Sequence, residues 1–230
     1  MKRFILFLLI GEFVAGTLKA GTIVGTVHAE GRAEAGQSMQ GGKYDSHALK
    51  HAEKVDYAGM RDFVIYIEGL VGTNQAAPSK PVQVVTQKRV SQKGATFAPH
   101  VLPIVKNTTV EWPNNDDILH NVFSYSEAKP FDLDLYGKGE SKHVLFDTVG
   151  QVDVFCSIHS SMSCVVLVLE NPYFATSEKG TYRITDVPAG TYKLVAWHER
   201  MPKEYKTITV PENGEVKLDF TLGIKNLPKY

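Results

Sequence analysis

Cys156-Ser157-Ile158-His159-Ser160-Ser161-Met162 decides the reading, taken with His120-Asn121, 36 residues earlier. A thiolate, two imidazoles and a thioether are the donors of a mononuclear copper electron-transfer centre. In such a centre His, His and Cys form a trigonal plane, and a long, weak axial Met tunes the potential. The spacing has a physical reason. A tight loop between two strands gathers Cys, His and Met around one point, provided the other His arrives from a neighbouring strand. The flanks are strand-like: Val152-Asp153-Val154-Phe155 before the loop and Cys164-Val165-Val166-Leu167-Val168-Leu169 after it. A shell that had lost its metal is the weaker reading, because all four donor types stand in the right order. Zinc also accepts Cys and His, so which residues bind and which metal they bind are separate questions.

Outward from the loop, the chain resembles the cupredoxins, the family of plastocyanin, pseudoazurin and amicyanin. The resemblance runs from about Phe97 to Leu169. It is carried by Phe97-Ala98-Pro99-His100, Thr109-Val110-Glu111-Trp112-Pro113-Asn114-Asn115-Asp116, His120-Asn121-Val122-Phe123 and Val154-Phe155-Cys156. The short Cys-to-Met spacing is most similar to amicyanin. The resemblance implies that His120, Cys156 and His159 bind copper in plane and Met162 axially. It also implies that Asn121 braces the ligand loop and hydrogen-bonds toward the thiolate, orienting the donors from behind. Ile158 stands where many relatives have Pro, and Cys164 adds a thiol; neither removes a donor. As a whole the chain is similar to bacterial periplasmic proteins of the methylamine-utilisation or plastocyanin-like type. Those carry a small carboxypeptidase-regulatory-like (transthyretin-like) sandwich after the cupredoxin unit. The implied fold is all-β: a cupredoxin Greek-key β-sandwich or barrel over residues 21–170, then a small Ig/transthyretin-like β-sandwich over residues 171–230.

Hydrophobic alternation supports an all-β chain. Gly21 to His28, Phe63 to Ile67, Val82 to Val90, Thr96 to Ile104, Thr109 to Trp112, Asn121 to Ser124 and His143 to Phe146 read as short strands between turn residues. Gly180 to Ile184 and Val187 to His198 flank a Pro-Ala-Gly turn, and Tyr205 to Val210 and Glu215 to Leu222 add two more strands. The second sandwich is short, so it is expected to lean on the first, sharing strands such as 22–28. Asn213-Gly214 is a hairpin signal. Residues 29–46 lack hydrophobic periodicity and read as a loop, within a flexible insertion of about 29–60. Ser46 is a candidate N-cap for a short helix over 46–54, and residues 70–82 read as a further loop.

Composition bounds the function. The chain is 43% hydrophobic and 22% charged, with 25 basic and 25 acidic residues. That is ordinary for a globular protein, and no basic field favours nucleic acid. Met1-Lys2-Arg3 followed by Phe4 to Ile10 resembles a secretory signal, with cleavage expected after Ala20. Its apolar run is far shorter than the ~20 residues a membrane span requires. A periplasmic or secreted location follows, with no transmembrane span after cleavage. Two cysteines make no disulfide framework: Cys156 belongs to the metal motif, and Cys164 reads as a small buried hydrophobe.

The other histidines are weaker candidates. His100 is either an electron exit or extra ligand near the metal, or a satisfied strand residue, and the last reading is preferred, as for His143. His47 and His51, four apart, would share a helix face without a third donor, so a solvated surface is preferred. Trp197-His198 is expected to end a strand in the core of the second sandwich. Asp116, Asp117, Asp132 and Asp134 form either a docking face or, preferably, solvated turns. The expected function is a one-electron carrier cycling between Cu(II) and Cu(I). It would not be an enzyme, because four ligands leave no open position, and its partner would be a cytochrome or dehydrogenase. The alternatives are copper delivery to a periplasmic oxidase and a surface interaction module with a secondary copper site.

Overall fold

The computed structural model describes residues 20–31, 56–71 and 87–223. Residues 1–19 of the signal expected over 1–20, the helix expected from Ser46 with His47 and His51, and most of the loop at 70–82 lie outside the described residues, whereas Ala20 is the first residue of a strand. Among the described residues every regular element is a strand, so the fold is all-β. No helix among them is long and apolar enough to cross a membrane.

Two strands come first, β1 (Ala20–Glu30) and β2 (Val64–Ile67). Ten follow in the middle of the chain: β3 (Gln87–Arg89), β4 (Ser91–Gln92), β5 (Phe97–Ala98), β6 (Val101–Val105), β7 (Thr108–Pro113), β8 (Phe123–Ser124), β9 (Phe131–Asp132), β10 (Ser141–Phe146), β11 (Gly150–Phe155) and β12 (Ser163–Leu169). Six more are β13 (Phe174–Thr176), β14 (Thr181–Pro188), β15 (Gly190–His198), β16 (Met201–Val210), β17 (Glu215–Lys217) and β18 (Phe220–Gly223).

The middle strands build one sandwich. Its sheets run β6-β12-β11-β8-β9 and β10-β7-β3, with the small β4-β5 pair beside them. Their shared core is centred on Trp112, Phe97 and Phe146, with Phe97 edge-on to Trp112 at 5.8 Å. Strand alternation places these residues: on β7, Thr108, Val110 and Trp112 point in while Thr109, Glu111 and Pro113 are more open.

The second sandwich draws strands from both sides of residue 170. Its sheets run β13-β2-β15-β16 and β14-β1-β17, with β18 also on β1. Strands from both ends of the described chain therefore share one core: Ile23, Val27, Phe63 and Ile65 pack with Ile184, Leu194, Ile208 and Phe220. β1 supplies the central strand, antiparallel to β14 and parallel to β17 and β18. The insertion expected from residue 29 starts later, because β1 runs to Glu30 with Ala29 buried. At its other end Tyr57 and Met60 pack on this core.

Two local expectations also change. Asn213-Gly214 does not join a hairpin: β16 lies on one sheet, and β17 crosses to the other to pair with β1 at Thr22↔Glu215. Pro211, which has no N–H to donate, follows the end of β16. The strand expected over Glu215–Leu222 breaks at Leu218-Asp219, where the Leu218 carbonyl passes so close to Gly25 that a Cβ there would lie 1.8 Å from it.

β12 explains its own unbroken hydrophobic run, since it is covered on both faces. Cys164, Val166 and Val168 join the first core. Val165, Leu167 and Leu169, with Val101 of β6, meet Val64 and Tyr66 of β2 and Val195 and Trp197 of β15. The two sandwiches are thus joined sheet to sheet, and the outer layer of that contact lies directly behind the strand that leaves the candidate metal loop.

Candidate metal centre

Period-two alternation delivers the thiol. Val152 and Val154 of β11 point into the core, and Cys156, in the same phase just beyond the strand, is 4% exposed. β12 begins opposite the end of β11, at Phe155↔Ser163, so residues 156–162 turn back on themselves. Two backbone bonds close the turn: Cys156 N–H to the Met162 carbonyl at 3.2 Å, and Met162 N–H to the His159 carbonyl at 3.0 Å. Met162 is 1% exposed and lies in the same core as Cys156.

His120 arrives from a separate segment and is fully buried. Its backbone exchanges two hydrogen bonds with Tyr136, at 3.2 and 2.9 Å. The turn before it is organised by Asn114, also fully buried, whose Nδ2 donates to the Ile118 and Tyr136 carbonyls and whose Oδ1 accepts the Asp116 N–H, each at 2.9 Å. This turn carries Asp116 to the back of His120. The Asp116 carboxylate accepts the Gly94 N–H at 2.6 Å and the Ala95 N–H at 2.9 Å, and its Oδ2 lies 2.8 Å from His120 Nε2. Chiefly the Ala95 N–H, then the Gly94 N–H and His120, outweigh partial burial and lower the Asp116 pKa to about 2.

A carboxylate at Nε2 fixes the ring tautomer. Nε2 carries the proton, and Nδ1 turns a lone pair toward the cluster. That Nδ1 lies 3.1 Å from His159 Nδ1, which lies 3.7 Å from Cys156 Sγ. One donor atom from each of His120, Cys156 and His159 falls within 4.8 Å of the others. Donors about 2.0–2.3 Å from a common ion at roughly trigonal angles stand about 3–4 Å apart; the His120–His159 and His159–Cys156 separations meet this, and the set as a whole lies within 4.8 Å. The burial is graded: His120 and Cys156 are enclosed, and His159 is the partly exposed member.

Asn121 joins the two halves. Its Oδ1 accepts the Ser157 N–H at 2.7 Å and the Ser157 hydroxyl at 2.9 Å, and its Nδ2 donates to Asp132 at 3.4 Å. The residue after His120 thereby holds the residue after Cys156. The bonds recorded for the Asn121 side chain go to Ser157 and Asp132, whereas the resemblance implied one toward the thiolate. Asp116, read from the sequence as a solvated turn acid, instead backs His120, whereas Asp132 is exposed, with a long contact to Asn121. The signal was present in Asn114-Asn115-Asp116, a run of residues that bond their own backbone in turns.

The remaining candidates fall elsewhere. His100 lies in the bend between β5 and β6, bonded to the Ser163 carbonyl and to Glu199. His143 is on β10 opposite Glu111. His198 is buried against Phe63, with ring centroids 4.9 Å apart. Trp197 faces the contact between the sandwiches, where the sequence placed it in the core of the second. Cys164 sits opposite Val154 as a free thiol whose pKa is pushed up by burial. The rim around His159 holds the exposed Ser160 and Ser161, expected from the sequence. It is more apolar than those serines imply, because the chain neighbours of the two histidines, Ile118, Leu119 and Ile158, are about half exposed.

No family model matches the chain, and no curated protein matches it. Among solved structures, 45% of the chain is similar to part of a Cu-containing nitrite reductase from Thermus scotoductus, at 27% identity and a TM-score of 0.35. The match spans 26% of that reductase. A purple cupredoxin from Nitrosopumilus maritimus is similar over 35% of this chain and 98% of its own, at 26% identity and a TM-score of 0.32. A Cu(I) form of an amicyanin mutant is similar over 37% of this chain and 86% of its own, at 20% identity and a TM-score of 0.35.

Proposed function

We propose that the protein is a one-electron carrier of the cupredoxin type, with copper held by His120, Cys156, His159 and Met162. The observation that carries this reading is the convergence of two imidazole rings and one thiol within 4.8 Å, with His120 and Cys156 buried and His159 partly exposed. Copper, when bound, supplies the Cu(II)/Cu(I) couple. The chain does the rest. Asp116 holds the His120 tautomer, Asn121 holds the loop to the His120 strand, and the surrounding Val, Trp and Phe side chains exclude water, keeping the donors in one geometry for both oxidation states. With Met162 as fourth ligand the site has no open position for a substrate, which favours a carrier over an enzyme. Its burial also disfavours a delivery protein, which needs an accessible ion.

Electrons would leave through the partly exposed edge of His159. The half-exposed Ile118, Leu119 and Ile158 offer a small apolar rim to a redox protein, in keeping with the small, transient contacts of such encounters. A secreted or periplasmic site of action belongs to the same reading. The test is the visible absorption and electron paramagnetic resonance of the Cu(II)-loaded chain. An intense thiolate-to-copper band with narrow copper hyperfine splitting, lost in Cys156→Ser, is the expected result. A colourless protein or an ordinary tetragonal Cu(II) signal would overturn the reading.

A further inference from the structure

The loop that carries Cys156, His159 and Met162 leaves the site through Ser163, and Ser163 is gripped by His100, in the bend between β5 and β6. The His100 Nδ1 lies 3.1 Å from the Ser163 carbonyl, and the His100 carbonyl accepts the Val165 N–H at 2.8 Å. One residue thus holds both ends of the first turn of β12. The other face of the ring belongs to the second sandwich: His100 Nε2 lies 2.9 and 3.0 Å from the two carboxylate oxygens of Glu199, in the turn from β15 to β16. Each ring nitrogen faces an oxygen acceptor, so rotating the ring would break both contacts.

The turn that presents Glu199 is itself fixed. Its neighbour His198 is buried against Phe63, and His198 Nδ1 accepts the Arg200 N–H at 3.1 Å. Behind it, Val195 and Trp197 press on Val165 and Leu167, and Trp197 Nε1 donates to Gln151 on β11 at 3.3 Å. The second sandwich therefore touches both strands that frame the loop, β11 through Gln151 and β12 through Val165 and Leu167, and it reaches Ser163 through His100.

We propose that the second sandwich is the mount of the ligand loop, and that Glu199 is a positioning residue acting through His100 on Ser163 and so on Met162. The proposal rests on the reading of Met162 as axial ligand. The loop's own bonds, Cys156 to Met162 and Met162 to His159, fix its shape. They do not fix its tilt relative to His120, which comes from another segment. Asn121 ties the Cys156 end to the His120 segment through Ser157, and the Met162 end is the one clamped by His100 and Glu199. A long, weak axial bond is the part of such a site most sensitive to tilt, and it tunes the potential. The ion pair is partly exposed and contributes little to global stability, so its loss separates positioning from folding.

The test compares amide hydrogen exchange in the metal-free full-length protein with Glu199→Ala, Glu199→Asp and Glu199→Gln. Gln keeps an acceptor at the same reach, whereas Asp keeps the charge but falls a methylene short. The amides of Cys156, Met162 and Val165 are expected to exchange about tenfold faster in the Ala and Asp variants, with Gln close to wild type. An Arg183→Ala control breaks the Arg183–Glu215 pair on the opposite sheet and should leave these amides unchanged. In copper-loaded protein the Ala and Asp variants are expected to shift the Cu(II)/Cu(I) equilibrium against a fixed mediator by about threefold or more. Exchange within about twofold of wild type in both variants overturns the mount, as does equal loosening in the control. A wild type that forms no thiolate–copper centre removes the functional reading while the exchange result still decides the mount. A blue wild type with unchanged loop exchange in the variants removes the mount alone.

Discussion

Asp116→Ala tests whether the carboxylate behind His120 is part of the metal site or a turn acid that happens to lie nearby. Three interactions disappear together: the Gly94 and Ala95 N–H bonds and the contact with His120 Nε2. The imidazole then loses the partner that keeps the proton on Nε2 and orients Nδ1 inward. Loss of such a partner typically lowers metal affinity by about 10–100-fold. The two released N–H groups lie on an open turn where water replaces the carboxylate, so the stability cost is about 1–2 kcal/mol, or a fall in Tm of about 2–8 °C for a chain of this size. The pH dependence carries a sign. The Asp116 pKa is depressed from 3.8 to about 2 in the folded protein. Its contribution is therefore complete above 3.8 and is lost as pH falls toward 2. Wild type and variant should differ fully at pH 7, converge below about pH 4 and coincide only below about pH 2. Chelator competition with Cu(II) or Zn(II) reads the affinity, and thermal melts across pH read the stability. An Ala variant that binds metal within about twofold of wild type refutes the tautomer argument.

Asn121→Ala should cost about 1–2 kcal/mol, because the Ser157 N–H loses its side-chain acceptor, and should speed metal loss from the loaded protein, followed by chelator-driven bleaching. Trp197→Ala opens a cavity in the contact between the sandwiches and removes the bond to Gln151. A loss of about 3–5 kcal/mol in chemical denaturation is expected, with the two sandwiches unfolding in separate transitions. Gly25→Ala would drive a Cβ to 1.8 Å from the Leu218 carbonyl, so β1 and the β17–β18 pair must separate there. About 1–3 kcal/mol of destabilisation should appear in thermal melts, while a metal site in the first sandwich keeps its affinity.

How much of this was legible in the sequence follows from the range of each interaction. Donor types, their order and the strands beside them are local, and period-two alternation alone predicts that Cys156 points inward after Val152 and Val154. The unbroken run Cys164–Leu169 likewise announced a strand covered on both faces, but nothing local says by what. Its outer cover is β2 and β15, and β15 begins more than 20 residues further on in the chain. The same limit hid the partners of the first strand. The shortness of the second sandwich suggested that it shares strands such as 22–28, but not that residues 20–30 pair with strands at 181–188, 215–217 and 220–223, because pairing over such separations leaves no trace in either segment's periodicity. Asn213-Gly214 shows local chemistry overruled: the chain bends there, with Gly214 at φ +96°, yet the strand after it pairs with β1 instead of folding back on β16. His100 shows the converse. Its ring looked like an ordinary satisfied histidine, and it is satisfied; only the fold reveals that its two partners belong to different sandwiches, one of them adjoining Met162. Residue types therefore identify the donors, while the residues that hold those donors in place become visible only when distant strands are brought together.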